Sequence, residues 1–289
     1  MTSLPVQPEE YRLNLGGTVI SILCDPAEFA IGLSNWFSQP SATATPHIYL
    51  ELELITHSDT PDFPNSLVTT KTISPNGAFD IAGGLITGHF DPTTGSGKLK
   101  AKGTLIRGPY MRILEQIFYQ AFWSAQKHSQ IDSFLIHSSA VIADGRGFLF
   151  VGPSEAGKST VARLSSQHHV LGDEMNLVRF DDHGPVVTGT VFNGLFKEKK
   201  PGEAPLAGVF LLKQAPAHRL GEIPKLEAVP ALAAEIVPPV GLNEVVNSQT
   251  LPQMIDFAER LVEIPTLKRL EFLPDEGLWQ TIAAEFKLN

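Results

Sequence analysis

Residues 148–164 read FLFVGPSEAGKSTVARL: an apolar run, a loop of small residues, then a mixed segment. Gly152, Gly157, Lys158 and Ser159 fit the pattern G-x-x-x-x-G-K-[ST]. They do so where the pattern has a mechanism, directly after an expected strand and at the start of an expected helix. The glycines let the backbone wrap inward so that successive N–H groups point at a phosphate, and the helix N-terminus adds partial positive charge. On this reading the phosphate cradle is Gly152, Pro153, Ser154, Glu155, Ala156, Gly157, Lys158, Ser159 and Thr160. Lys158 is expected to reach the outer phosphates and the Ser159 hydroxyl to take one position on Mg²⁺. Glu155, an acid in a phosphate loop, is expected to face outward. A second Gly-Lys, at Gly97-Lys98, has Pro92 where the first glycine belongs and Leu99 after the lysine, so it reads as a hairpin turn.

The loop alone serves motors, switches, pumps and kinases alike, and the next acids separate them. Asp173 and Glu174, in VLGDE, follow Lys158 by only 15 and 16 residues, across one short helix and one strand. Most hydrolysing ATPases place their second acid far later, and here the later apolar run VFLLKQ leads into Lys213 instead. Two neighbouring carboxylates beside a Mg-nucleotide suit phosphoryl transfer to an alcohol, one accepting the hydroxyl proton and the other supporting the metal. Asp173 is the expected base, and Ser159, Asp173 and Glu174 are the expected metal-side groups. The competing reading is a solvated acid pair at a strand end.

Taken together, IHSSAVIADGRGFLFVGPSEAGKSTVARL and the following HHVLGDEMNLVRF resemble the catalytic core of HPr kinase/phosphorylase and its relatives. The resemblance implies an α/β fold: a P-loop-containing, phosphoenolpyruvate carboxykinase-like kinase domain preceded by a variable N-terminal domain. It implies ATP and Mg²⁺ as cofactors, a homo-oligomer, and a role for His137, on the strand before the loop, in approaching the phosphates. Taken alone, His137 at a strand end reads more readily as a structural histidine, and its place one hairpin before the loop makes the two readings even. Two departures point away from HPr as the substrate: the second acid is Glu174 where the family has aspartate, and no arginine-glycine-leucine-glycine segment follows.

The rest of the chain sets bounds. With 289 residues, two domains are the reasonable division. A net charge of -9 with both signs interspersed opposes nucleic acid or a membrane surface as a partner. A single cysteine, Cys24, excludes an internal disulfide, and with no leader-like segment at the N-terminus the expected compartment is the cytoplasm. Residues 1–109 alternate apolar and polar positions, as in RLNLGGTVISIL, HIYLELEL and FDIAGGLITGHF, and read as a β-rich accessory domain. Within it DPTTGSGKLKAKG predicts a turn and an exposed, lysine-bearing strand that resists edge pairing.

Residues 110–130 read as an amphipathic connecting helix, with Met111, Leu114, Ile117, Phe118, Ala121, Phe122 and Ala125 on one face and Arg112, Glu115, Gln116 and Gln120 opposite. Residues 131–289 alternate strand and helix patterns and form the expected nucleotide-binding catalytic domain. The expected strands are Leu135 to Ala143, Gly147 to Val151, Val170 to Gly172, Leu177 to Phe180, Val186 to Thr190, Ala207 to Lys213 and Leu267 to Leu273, and the expected helices Lys158 to Ser166, Leu226 to Ile236, Pro252 to Glu263 and Glu276 to Phe286. DDHG at Asp181 to Gly184 is a turn signal that folds the strand of Leu177 back as a hairpin. Its secondary candidates are Lys197, Lys199 and Lys200 in FKEKKPGE, offering positive charge, and His168-His169, which does not read as a metal pair because adjacent strand residues face opposite ways.

The function expected from these readings is an ATP-dependent, Mg²⁺-requiring kinase acting on a hydroxyl, serine or threonine of a peptide or small protein. An ATP-binding regulatory or assembly protein without transfer activity stays open beside it. A motor or switch that hydrolyses to water is disfavoured by the early acid pair.

Overall fold

The computed structural model describes residues 7–37, 42–55, 69–239, 250–263 and 266–288. It is a mixed α/β protein with two sheets and six α-helices among the described residues, and it divides into two compact units that part between Ile131 and Asp132.

The first unit contains β1 (Glu9–Leu15), β2 (Thr18–Asp25), α1 (Glu28–Phe37), β3 (Ile48–Leu54), β4 (Thr69–Ile73), β5 (Phe79–Gly83), β6 (Ile86–Asp91), β7 (Ser96–Ala101) and α2 (Met111–His128). The strands form one sheet in the order β1-β2-β3-β7-β6-β5-β4. Alternation decides its faces: Ile48, Leu50 and Leu52 are buried while Tyr49 and Glu51 between them are exposed. The stretch RLNLGGTVISIL is a hairpin of two strands around Gly16-Gly17. Sequence reasoning missed α1, whose Phe29, Leu33 and Phe37 are buried in an otherwise β-patterned region.

Two expectations in this unit need correction. The lysine-bearing strand, β7, is not an edge strand but lies between β3 and β6. Lys98 stands across from carboxylates, 2.8 Å from Glu51 and 2.9 Å from Glu53, so its charge belongs to a cross-strand ladder. Helix α2 is buried nearly all round: Glu115 and Gln120, expected on a polar face, are 4% and 0% exposed. Glu115 accepts from the Trp36 indole N–H at 2.7 Å and from Arg112 at 3.0 Å, and the Gln120 amide donates to Ser124 Oγ at 3.3 Å. Paired in this way, polar side chains survive burial that an amphipathic pattern does not foresee. Cys24 is buried, and burial pushes its thiol up to about 12, which leaves it inert.

The second unit contains β8 (Ser133–Ala143), β9 (Arg146–Val151), α3 (Lys158–Leu164), β10 (His169–Gly172), β11 (Met175–Asp181), β12 (Gly184–Gly189), β13 (Glu203–Gln214), β14 (Arg219–Gly221), α4 (Lys225–Glu235), α5 (Thr250–Val262), β15 (Leu267–Phe272) and α6 (Gly277–Phe286). The expected strands and helices of this region all appear, within a few residues at each end. Only the short β14 was not foreseen. As read from DDHG, β11 turns back on β12, with Asp181 opposite Gly184. Strand β9 lies parallel to β13 and antiparallel to β8, and Phe148, Leu149, Phe150 and Val151 are all 0% exposed. A strand covered on both faces reads as a continuous apolar run, which is why FLFV shows no alternation. Its aromatic residues lock α6 to the sheet, with the Phe148 and Phe286 ring centroids 4.8 Å apart and Phe150 to Trp279 6.1 Å.

No helix among the described residues is long and apolar enough to cross a membrane. Replacing the fully buried Phe150 with alanine should cost about 3–5 kcal/mol of unfolding free energy in denaturant titration, from lost burial and the cavity left behind.

Candidate functional site

The site is organised along β8. One edge of this strand pairs with β9, whose last residue, Val151, lies opposite Ser138, so the loop of residues 152–157 leaves the sheet beside Ser138. The other edge pairs with two strands in succession: β10 reaches it through Gly172 opposite Ala140, and β11 through Met175 opposite His137. Asp173 and Glu174 fill the break between these strands, facing Ser138 and Ser139, and the Ser138 amide donates to the Glu174 carbonyl at 3.1 Å. Neighbouring strands lie ~4.8 Å apart, so the start of the loop and the acid pair are held on either side of one strand, ~10 Å apart at the backbone. Asn176, fully buried, tightens the break by donating to the Ser138 carbonyl at 2.8 Å and to its hydroxyl at 3.2 Å.

The loop has the backbone that its glycines predict. Gly157 sits at φ +109°, and a Cβ there would stand 2.7 Å from the Phe272 ring, so neither its conformation nor its surroundings accept a side chain. Glu155 is exposed, as expected, at φ +67°, and its carbonyl accepts from the Gln214 amide at 2.7 Å. Lys158 is 7% exposed. Its ammonium donates to the Gly152 carbonyl and, at 3.0 Å, to the Pro153 carbonyl, so the lysine lies folded into its own loop. Burial holds its pKa below the usual lysine range, while the negative charges of Glu235 and Glu174 work against that shift. Ser159 and Thr160, at the start of α3, are half-buried.

The two acids differ. Asp173 is 2% exposed, and its Oδ2 accepts the amides of Leu195 at 3.2 Å and Phe196 at 3.0 Å. Its Oδ1 is buried with no hydrogen-bond partner among the described residues. A carboxylate oxygen buried without a donor calls for a cation or a proton. Glu174 is less buried. Asp173 and Glu174 supply the one or two carboxylates through which Mg²⁺ binds, and Ser159 stands at the start of α3. No group of three or more His, Cys, Asp or Glu side chains suited to a metal occurs among the described residues.

His137 is not at a strand end, as the sequence suggested, but in the middle of β8. Its Nδ1 is 3.2 Å from Glu235 Oε2. The secondary candidates resolve into scaffolding. Lys199 donates to the carbonyls of Thr190 at 3.0 Å and Phe192 at 2.6 Å, and Lys197 to that of Gly194 at 2.9 Å, so both tie down the 190–199 segment. His168 rests on the Trp279 ring at 4.1 Å, and burial lowers its pKa; His169 bonds the Pro201 carbonyl.

Sequence reasoning missed two parts of the site. Residues 194–196 cap Asp173, but their contribution is backbone N–H, which no side-chain pattern announces. Glu235 ends a helix that carries no motif. No protein-family model matches the chain, and no curated protein matches it either.

A Cβ added at Gly194 would overlap Asp173 Oδ1 and lie 2.9 Å from the Glu174 side chain. Gly194→Ala should therefore push the segment off Asp173 and speed hydrogen exchange at the Leu195 and Phe196 amides by about tenfold or more, read by mass spectrometry or NMR.

Proposed function

We propose that the chain is an ATP-dependent, Mg²⁺-requiring kinase of P-loop type, its second unit a phosphoenolpyruvate carboxykinase-like domain, that transfers a phosphoryl group to a hydroxyl. The observation that carries this reading is the placement, on either side of one strand, of a lysine buried in its own Gly-rich loop and a buried carboxylate oxygen with no donor among the described residues. When bound, Mg²⁺ would supply charge neutralisation on the transferring phosphoryl group, held by Ser159 and Glu174. The residues themselves do the rest. The amides of residues 152–160 and the Lys158 ammonium grip the phosphate chain, with Lys158 exchanging its loop carbonyls for phosphate oxygens. Asp173 receives the acceptor's hydroxyl proton at Oδ1, the atom left free while the amides of Leu195 and Phe196 fix Oδ2. We place the reaction in the cytoplasm and take the acceptor to be a serine or threonine of a peptide or small protein, with oligomerisation as in the kinases the sequence resembles.

One observation favours a second reading, an ATP-binding regulatory or assembly protein without transfer activity. Asp173 is almost fully buried and anchors a loop, which a carboxylate can do without ever meeting a substrate.

Calorimetry should find that Mg-ATP binds the wild type and that Lys158→Met weakens binding by about a hundredfold, ~2.7 kcal/mol. Incubated with γ-labelled ATP and cell extract, the wild type should produce a labelled phosphoester, and Asp173→Asn should bind Mg-ATP yet transfer about a thousandfold more slowly. Unchanged transfer by Asp173→Asn would remove it as the base. Tight binding with no labelled product would establish the second reading instead.

A further inference from the structure

Glu235 is the last residue of α4, and the chain just beyond it is fastened to β8. Ile236 bridges to Ile136, and the Val237 amide donates to the Leu135 carbonyl at 2.8 Å. These bonds fix the end of the helix alongside the residues that precede His137, and they bring the Glu235 carboxylate to His137 Nδ1 at 3.2 Å. The Glu235 side chain is 12% exposed and that of His137 34%, so the acid is largely withdrawn from water while the ring keeps an open edge. Its charge also reaches Lys158, where it opposes the effect of burial. Two acids, Glu174 and Glu235, therefore stand near two basic side chains, Lys158 and His137, at the mouth of the loop.

We propose that Glu235 is a positioning residue of the phosphate-loop site: held by Glu235 through Nδ1, the His137 ring presents Nε2 to the terminal phosphate of a bound nucleoside triphosphate. This rests on the nucleotide reading proposed above. A carboxylate on one ring nitrogen fixes both the tautomer and the orientation of a histidine, leaving a single nitrogen to face a ligand. A contact that only a third phosphate reaches distinguishes ATP from ADP, whereas the loop amides and Lys158 grip both. Glu235 thereby becomes a residue for triphosphate recognition on an element that carries none of the sequence motifs.

The test is calorimetric titration of the full chain with Mg-ATP and, separately, Mg-ADP. Glu235→Ala and His137→Ala should each weaken Mg-ATP about tenfold while Mg-ADP changes by less than about twofold, and the double variant should be no weaker than either single one. Glu235→Gln, which keeps an acceptor for Nδ1–H, should recover most of the loss. Glu235→Asp, one methylene too short to reach, should not, and it carries the comparison if the alanine variant fails to fold. The proposal is overturned if Glu235→Ala binds Mg-ATP as the wild type does, if the two single losses multiply in the double variant, or if Mg-ADP weakens as much as Mg-ATP. A wild type that binds neither nucleotide overturns the nucleotide reading itself and this assignment with it, an outcome distinct from the other three.

Discussion

The two-sided pairing of β8 is the constraint on which the site depends. One edge holds β9, and the loop leaves at its end; the other edge holds β10 and β11, and the acid pair occupies the break between them. Neither side can shift alone, because β9 is itself clamped between β8 and β13 and its four apolar side chains are fully buried. Sliding β9 by one residue would turn its side chains to the opposite faces of the sheet. The hydrophobic packing of one strand thus sets the placement of the polar groups that flank its neighbour. This link runs from packing energy to chemical geometry, and it needs no contact between the loop and the acids to hold them in register.

On that frame the polar groups complete one another. The Lys158 ammonium is satisfied by its own loop, and Asp173 has one oxygen satisfied by two amides and one oxygen by nothing among the described residues. Leaving a buried carboxylate oxygen without a donor costs folding free energy, on the order of 1–3 kcal/mol. Such a cost is characteristic of a group kept for a ligand or a proton. The segment over Asp173 is itself tied down by Lys197 and Lys199, two of the lysines that the sequence singled out for their charge.

Much of this was legible in the sequence because it rests on local rules. The strand, loop and helix of residues 148–164 are set by an unbroken apolar run and by glycine at a positive φ, and both can be read from single residues. Asp173 and Glu174 were legible from spacing, since one short helix and one strand bring the chain back beside its starting strand. What escaped were the contributions of tertiary packing. Strand β7 looked like an edge because lysine commonly guards edges, yet its lysines face carboxylates of β3 across an interior pair. Glu115 and Gln120 looked solvent-facing because their pairing with Trp36 and Ser124 lies outside any helical period. Glu235 had no signal at all, because only the bridge from Ile236 to β8 brings it to His137.

The central claim is that residues 152–160, the acid pair and the segment over Asp173 form one ligand site. Hydrogen exchange with Mg²⁺ and a non-hydrolysable ATP analogue tests it most directly, because it reads each segment separately. The account predicts slower exchange at residues 152–160 together with 173–174 and 194–196, and no change in the sheet of the first unit. Unchanged exchange in the loop, or protection confined to the first unit, would contradict it.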